Sequence, residues 1–109
     1  MGRMSRNKGA AGEREVAHLF ESYGYKAKRG CQHRGGPDSP DVDGVPGLHI
    51  EVKRTEKLAL YEAMEQSRRD CGEGEVPIVV HRRNGKKWIV VLEFEDFMRL
   101  YRKWQEERP

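Results

Sequence analysis

The segment that most constrains this chain runs from Ser39 to Lys53: Ser-Pro-Asp-Val-Asp-Gly-Val-Pro-Gly-Leu-His-Ile-Glu-Val-Lys. Val42 in its first half, and Leu48, Ile50 and Val52 in its second, alternate with polar residues, the period of a strand with one buried face. Pro46-Gly47 predicts a tight turn, so Asp41–Val45 and Leu48–Lys53 are expected to pair as antiparallel strands. A turn centred on Pro46 puts Asp41 directly opposite Glu51, and cross-strand neighbours sit roughly 4.5–5.5 Å apart at Cβ. Two carboxylates at that spacing can share a divalent metal. Lys53, Asp43 and His49 fall on the same face.

That gathering of charge has a chemical use. Mg²⁺ prefers oxygen ligands and keeps several waters. Between Asp41 and Glu51 it would polarise a phosphate oxygen and lower the pKa of a bound water. A lysine placed as Lys53 is could orient that water or stabilise the developing charge. The pattern also admits a plainer reading, in which Asp41 caps a turn and Glu51 and Lys53 form a solvated face.

The rest of the chain supplies a scaffold. Val16, Leu19, Phe20 and Tyr23 follow helical spacing and predict a helix over Ala10–Tyr23, stopped by Gly24. Tyr25–Arg29 reads as a short strand and Gly30–Pro40 as a loop. A second helix is expected over Leu58–Cys71, with Leu60, Met64, Ser67 and Cys71 on one face and Tyr61 beside them. Pro77–Arg82 and Lys87–Leu92 form a hairpin across Asn84-Gly85. Phe94, Phe97, Met98, Tyr101 and Trp104 mark a last helix whose aromatic stripe is either core or a dimer face. The order is α-β-β-β-α-β-β-α, an α/β chain with a mixed sheet of about five strands, expected as a single domain over 1–109 with a basic, flexible arm at 1–8.

Composition limits the core. Leu, Ile, Val and Phe make up only 21 of 109 residues, while charged residues reach 36%, above the roughly 25% usual for soluble domains. A net charge of +3 is too low to hold such a chain unfolded, but the core is thin enough for a partner subunit to add to it. The charge is uneven: residues 1–36 carry eight Lys/Arg against three acids, and residues 37–109 thirteen against fifteen. The basic first third is the footprint expected for a polyanion. The longest apolar run, Trp88–Leu92, is far short of the roughly 20 residues a membrane span needs. No secretory signal is visible, and Cys31 and Cys71 are expected as reduced thiols of a cytoplasmic protein. Cys31-x-His33, with His49 and His81 elsewhere, lacks the second pair that a zinc site requires.

Taken together, Asn7-Lys8-Gly9-Ala10-Ala11-Gly12-Glu13-Arg14-Glu15-Val16, Gly24-Tyr25, Pro40-Asp41 and Ile50-Glu51-Val52-Lys53 resemble the PD-(D/E)xK nuclease superfamily. The likeness is to the archaeal Holliday-junction resolvases and the small phage-encoded nucleases similar to them, over about residues 6–105. It implies a restriction-endonuclease-like core and a Mg²⁺-dependent DNA endonuclease in which Mn²⁺ substitutes. Asp41, Glu51 and the Val52 carbonyl would be metal ligands, Lys53 the catalytic lysine, and Glu13 a helical glutamate approaching the metal. Glu15 points elsewhere on that helix. Asp38 after Pro37 is a rival to Asp41, though the hairpin favours Asp41. Gln66 matches an accessory glutamine of some branches, and Arg54 and Thr55 follow the lysine within reach of a phosphate. Arg3, Arg6, Lys8, Arg29 and Arg34 would add nonspecific phosphate contacts. The resemblance also implies a homodimer cutting opposing strands of a branched substrate. Alternatives are a flap-, duplex- or restriction-type nuclease of phage origin, and a DNA-binding module that has lost activity.

Overall fold

The computed structural model describes residues 2–30 and 39–108. Helix α1 spans Gly2–Ser22, followed by β1 (Lys28–Arg29), β2 (Val42–Asp43) and β3 (Leu48–Arg54). Helix α2 (Leu60–Asp70), β4 (Val76–Arg82), β5 (Ile89–Val91) and α3 (Phe94–Glu106) complete the chain. The five strands form one sheet in sequence order; β3 and β4 are parallel and every other pair is antiparallel. The sheet is mixed because α2 carries the chain back between β3 and β4. The helix–strand order is the one expected from the sequence. Among the described residues no helix is long and apolar enough to cross a membrane.

The 39–53 hairpin adopts the expected register, with Val42 paired to Ile50. Its turn is closed by Leu48 N–H donating to Val45 O at 3.3 Å, with Pro46 and then Gly47 (φ 86°) at the central positions. Proline followed by a positive-φ glycine is the signature of a type II turn. From turn to pair there are three steps on β2 and two on β3, so β2 carries a one-residue bulge. Gly44 sits there at φ 96°, the left-handed geometry that such bulges use. A Cβ on Gly44 would lie 2.0 Å from the carbonyl oxygen of Lys26. Gly44→Ala is therefore expected to cost about 2 kcal/mol or more. Thermal melts should show the midpoint falling by roughly 10 °C, and an unchanged melt would refute this account of the register.

Two packed layers flank the sheet. Val16 and Ala17 of α1 lie against Val42, Ile50, Val52, Ile78 and Val80 on one face. Ala63 and Met64 of α2 lie against Val79 on the other. Ser67 Oγ is buried 3.1 Å from Ile78 O and 3.4 Å from His49 O, which seats α2 on the two parallel strands.

Three expectations need correction. Helix α1 begins at Gly2 rather than Ala10. Its buried side runs through Val16 and Ala17, with Leu19 and Tyr23 exposed, because Gly12 lets the helix approach β3 closely. A Cβ on Gly12 would lie 2.8 Å from the Arg54 Cβ. Strand β3 is buried on both faces, since α2 also covers His49 and Glu51. The Asn84-Gly85 hairpin closes on a wider loop than a two-residue turn: only Gly85 has positive φ, and the last pair is His81 with Ile89. The aromatic stripe of α3, expected as core or as a dimer face, lies outside the chain's own core, with Phe94, Phe97, Tyr101 and Trp104 all exposed.

Candidate active site

The bulge and turn set Asp41 at the start of β2, beside the middle of β3. Its backbone N–H donates to Ile50 O at 2.9 Å, and its Oδ2 accepts the Val52 N–H at 2.8 Å. Asp41 is thus fastened to β3 through both its backbone and its side chain. Glu51 is 2% exposed, facing α2, and its carboxyl is pushed up to about 8. Burial is the main cause; the Asp41 charge and a hydrogen bond with Asp41 add to it, and the Lys53 ammonium opposes it. Two carboxyls this close hold one proton between them at neutral pH.

Further side chains gather around this pair, some from β3 itself and others from α1, α2 and the segment before β4. His49 is buried with Nε2 3.2 Å from Glu51 Oε1 and Nδ1 3.7 Å from Glu75 Oε1. Asp70, at the C-terminal end of α2, joins His49 and Glu51 so that one ligand atom from each lies within 4.8 Å of the others. Lys53 Nζ donates to Gln66 Oε1 at 3.4 Å. Glu13 approaches from α1; burial raises its pKa, the hydrogen bond from Arg29 lowers it, and the Asp41 charge raises it again.

The remaining sequence candidates are placed as follows. Arg29 Nε donates to Glu13 Oε1 at 2.9 Å, so its guanidinium stands beside the acidic group. Arg54 projects to the α1 face, under Gly12, where Nη2 donates to Asn84 Oδ1 at 2.7 Å and Nη1 lies 3.7 Å from Glu56. Thr55 Oγ1 donates to Lys57 O at 3.2 Å, at the rim of a concavity shared with Lys53 and Gln66. Asp43 pairs with Lys28 on β1. Arg3, Arg6 and Lys8 belong to the first turns of α1, and their side chains lie outside the described residues, as do Cys31, His33, Arg34 and Asp38 entirely. Asp70 is the residue that sequence reasoning missed. Its signal was present: a carboxylate in the last turn of a helix opposes the helix dipole, and it stands four residues after Gln66, on the same face.

The donor set suits a hard divalent cation. Asp41 and Glu51 converge in a buried setting where, without a cation, their charges can be tolerated only by retaining a proton. A doubly charged ion can take that proton's place.

An aspartate and a Glu-x-Lys converging beside the parallel pair of a mixed, helix-flanked sheet define the PD-(D/E)xK nuclease class. The family model described as "Phage putative PDDEXK endonuclease" matches residues 4–109, and the chain belongs to that family. Comparison with curated proteins and with solved structures returned no match.

Proposed function

We propose that residues 1–109 form a single nuclease domain that cuts branched DNA as a homodimer and requires Mg²⁺, with Mn²⁺ able to replace it. The observation that supports the metal requirement is the convergence of Asp41 and Glu51 beside β3, where burial and the Asp41 charge push the Glu51 carboxyl up. Asp41, Glu51 and the Val52 carbonyl would hold the ion, with Glu13 approaching from α1. When bound, it would polarise a phosphate oxygen and lower the pKa of a water.

The chain's own residues do the rest. Lys53 projects from the same face as Glu51, two residues on, and can place an attacking water and oppose charge developing on the phosphate. Gln66 holds Lys53 Nζ and restricts where that ammonium points. His49, enclosed on all sides, holds Glu51 in place. Arg29, fastened to Glu13, offers its remaining N–H groups to the DNA backbone near the cut. Labelled four-way, flapped and linear DNA, incubated with and without Mg²⁺ and resolved on a denaturing gel, tests the reading. Paired symmetric cuts in the four-way junction are expected. Cutting of flapped or linear DNA alone would replace the branched substrate, and no cutting of any of them would overturn the nuclease reading.

The dimer is supported by α3. Phe97, Leu100, Tyr101 and Trp104 face a groove of about 440 Å³ floored by Phe20, Leu48, Ile78, Val90 and Leu92. Trp104 is half exposed there. A thin core and an uncovered aromatic helix fit burial against a second copy. Leu100→Glu with Trp104→Glu should convert a dimer to a monomer in sedimentation equilibrium. A wild-type protein that is already monomeric at micromolar concentration would refute the dimer.

A further inference from the structure

One strand away from Lys53 is a second concave surface. Lys53 of β3 pairs in register with His81 of β4, and neighbouring strands run roughly 5 Å apart. His81 opens onto a groove of about 530 Å³ lined also by Leu58, Arg82, Arg83, Lys86 and Lys87. The concavity that contains Lys53, Thr55, Lys57 and Gln66 adjoins it across Leu58. From Arg82 to Lys87 the chain carries four cations and no acid.

The charges on this groove are uncommitted and the surface beneath them is held in place. Arg83, Lys86, Lys87 and Lys57 are exposed, and among the described residues none forms an ion pair. Arg82 is different: it lies over the Trp88 ring and 3.4 Å from Glu15, so it serves the fold. Among the described residues Glu56 is the one acid that lines the groove, and it is engaged with the scaffold. It accepts the Asn84 N–H at 2.8 Å and lies 3.7 Å from Arg54. Asn84 also accepts from Arg54, and Lys86 N–H donates to Arg83 O at 3.1 Å. The hairpin loop is therefore tied to the β3–α2 connection that bears Lys57. Glu62, on the first turn of α2, is the other acid at the edge of the adjoining concavity.

We propose that this groove is a phosphate-binding track for the DNA backbone flanking the scissile phosphate, with Lys57, Arg83, Lys86 and Lys87 as its contacts. The proposal rests on the nuclease reading for its substrate. Exposed lysines and arginines without carboxylate partners release counterions when they meet a phosphate chain, and each contact adds to the salt dependence of binding. The groove leads away from Lys53, so a strand held there extends from the catalytic centre. Leu58 and Ile89 offer apolar contact to the sugars.

The test is DNA binding by the whole protein with Ca²⁺ in place of Mg²⁺, read by fluorescence anisotropy on a short duplex and a four-way junction between about 50 and 200 mM salt. Arg83→Ala with Lys86→Ala and Lys87→Ala should weaken binding to both by at least about tenfold at the higher salt. It should also reduce the slope of log K against log salt by about 2–3. These residues are exposed and outside the core, and a thermal melt of the variant checks that it folds. The double charge reversal Lys86→Glu with Lys87→Glu should weaken binding further. Wild-type affinity and slope in both variants would overturn the track while leaving cleavage untouched. A wild-type protein that binds DNA in this salt-dependent way but never cuts would overturn the nuclease reading and leave the track standing. No DNA binding by the wild type overturns the track as well.

Discussion

Glu51→Gln and Lys53→Ala should each reduce DNA cutting with Mg²⁺ by on the order of 10³-fold or more. The two losses differ in kind. Glu51 is enclosed by Asp41, His49 and Asp70 and supplies negative charge to whatever the pair binds. An amide there keeps the shape and removes the charge, so Mg²⁺ binding should fall with activity, as titration calorimetry can measure. Lys53 is only partly buried and is held by Gln66. Its truncation should leave metal binding nearly intact and remove cutting alone. Full activity in Glu51→Gln would refute the assignment of this site. Equal loss of metal binding in both variants would refute the division of roles.

The metal-free protein should lose stability as pH rises from about 4.5 towards 8, and Glu51→Gln should remove that loss. The sign follows from proton counting. In the folded chain the Glu51 carboxyl is held up at about 8, against the ordinary 4.5 of a glutamate in water. Between those values the folded state binds more protons than the unfolded one, so stability falls as pH rises. The stability is fully present below the unfolded value and is lost as pH passes through the folded one. The loss is on the order of 4 kcal/mol, or about 15–25 °C in melting temperature for a chain of this size. Adding Mg²⁺ at pH 8 should restore most of it in the wild type and little in Glu51→Gln. A wild-type melting temperature that is flat between pH 5 and 8 without metal would contradict the buried carboxyl pair.

Both predictions depend on residues that the sequence placed and on residues that it did not. Asp41, Glu51 and Lys53 were legible because a single local hairpin carries all three. Proline, glycine and a strand's period of two are enough to set which side chains face one another. Gly44 was less legible, since a bulge shows in sequence only as a glycine. Gln66 and Glu13 were named only through the family resemblance and Asp70 not at all: Asp70 and Gln66 reach Glu51 and Lys53 across the β3–α2–β4 crossover, and Glu13 comes from the opposite face. Periodicity describes one element at a time and does not say which elements meet. The same limit hid the hairpin cations. Averaged over residues 37–109 the bases are outnumbered by acids, and only the fold separates Arg83, Lys86 and Lys87 from the acids of α2 and α3.

The sequence by itself determined the order of the elements, the register of the 39–53 hairpin and the residues of its polar face. These depend on contacts between near neighbours, through turn stereochemistry and alternation. The tertiary structure alone decided that this face is buried, because α2 folds over it and removes Glu51 from water. That desolvation turns an ordinary carboxylate into a proton-holding partner of Asp41. It likewise decided that the aromatic face of α3 is left uncovered by the chain's own strands, since helical spacing marks an apolar stripe without naming what it packs against.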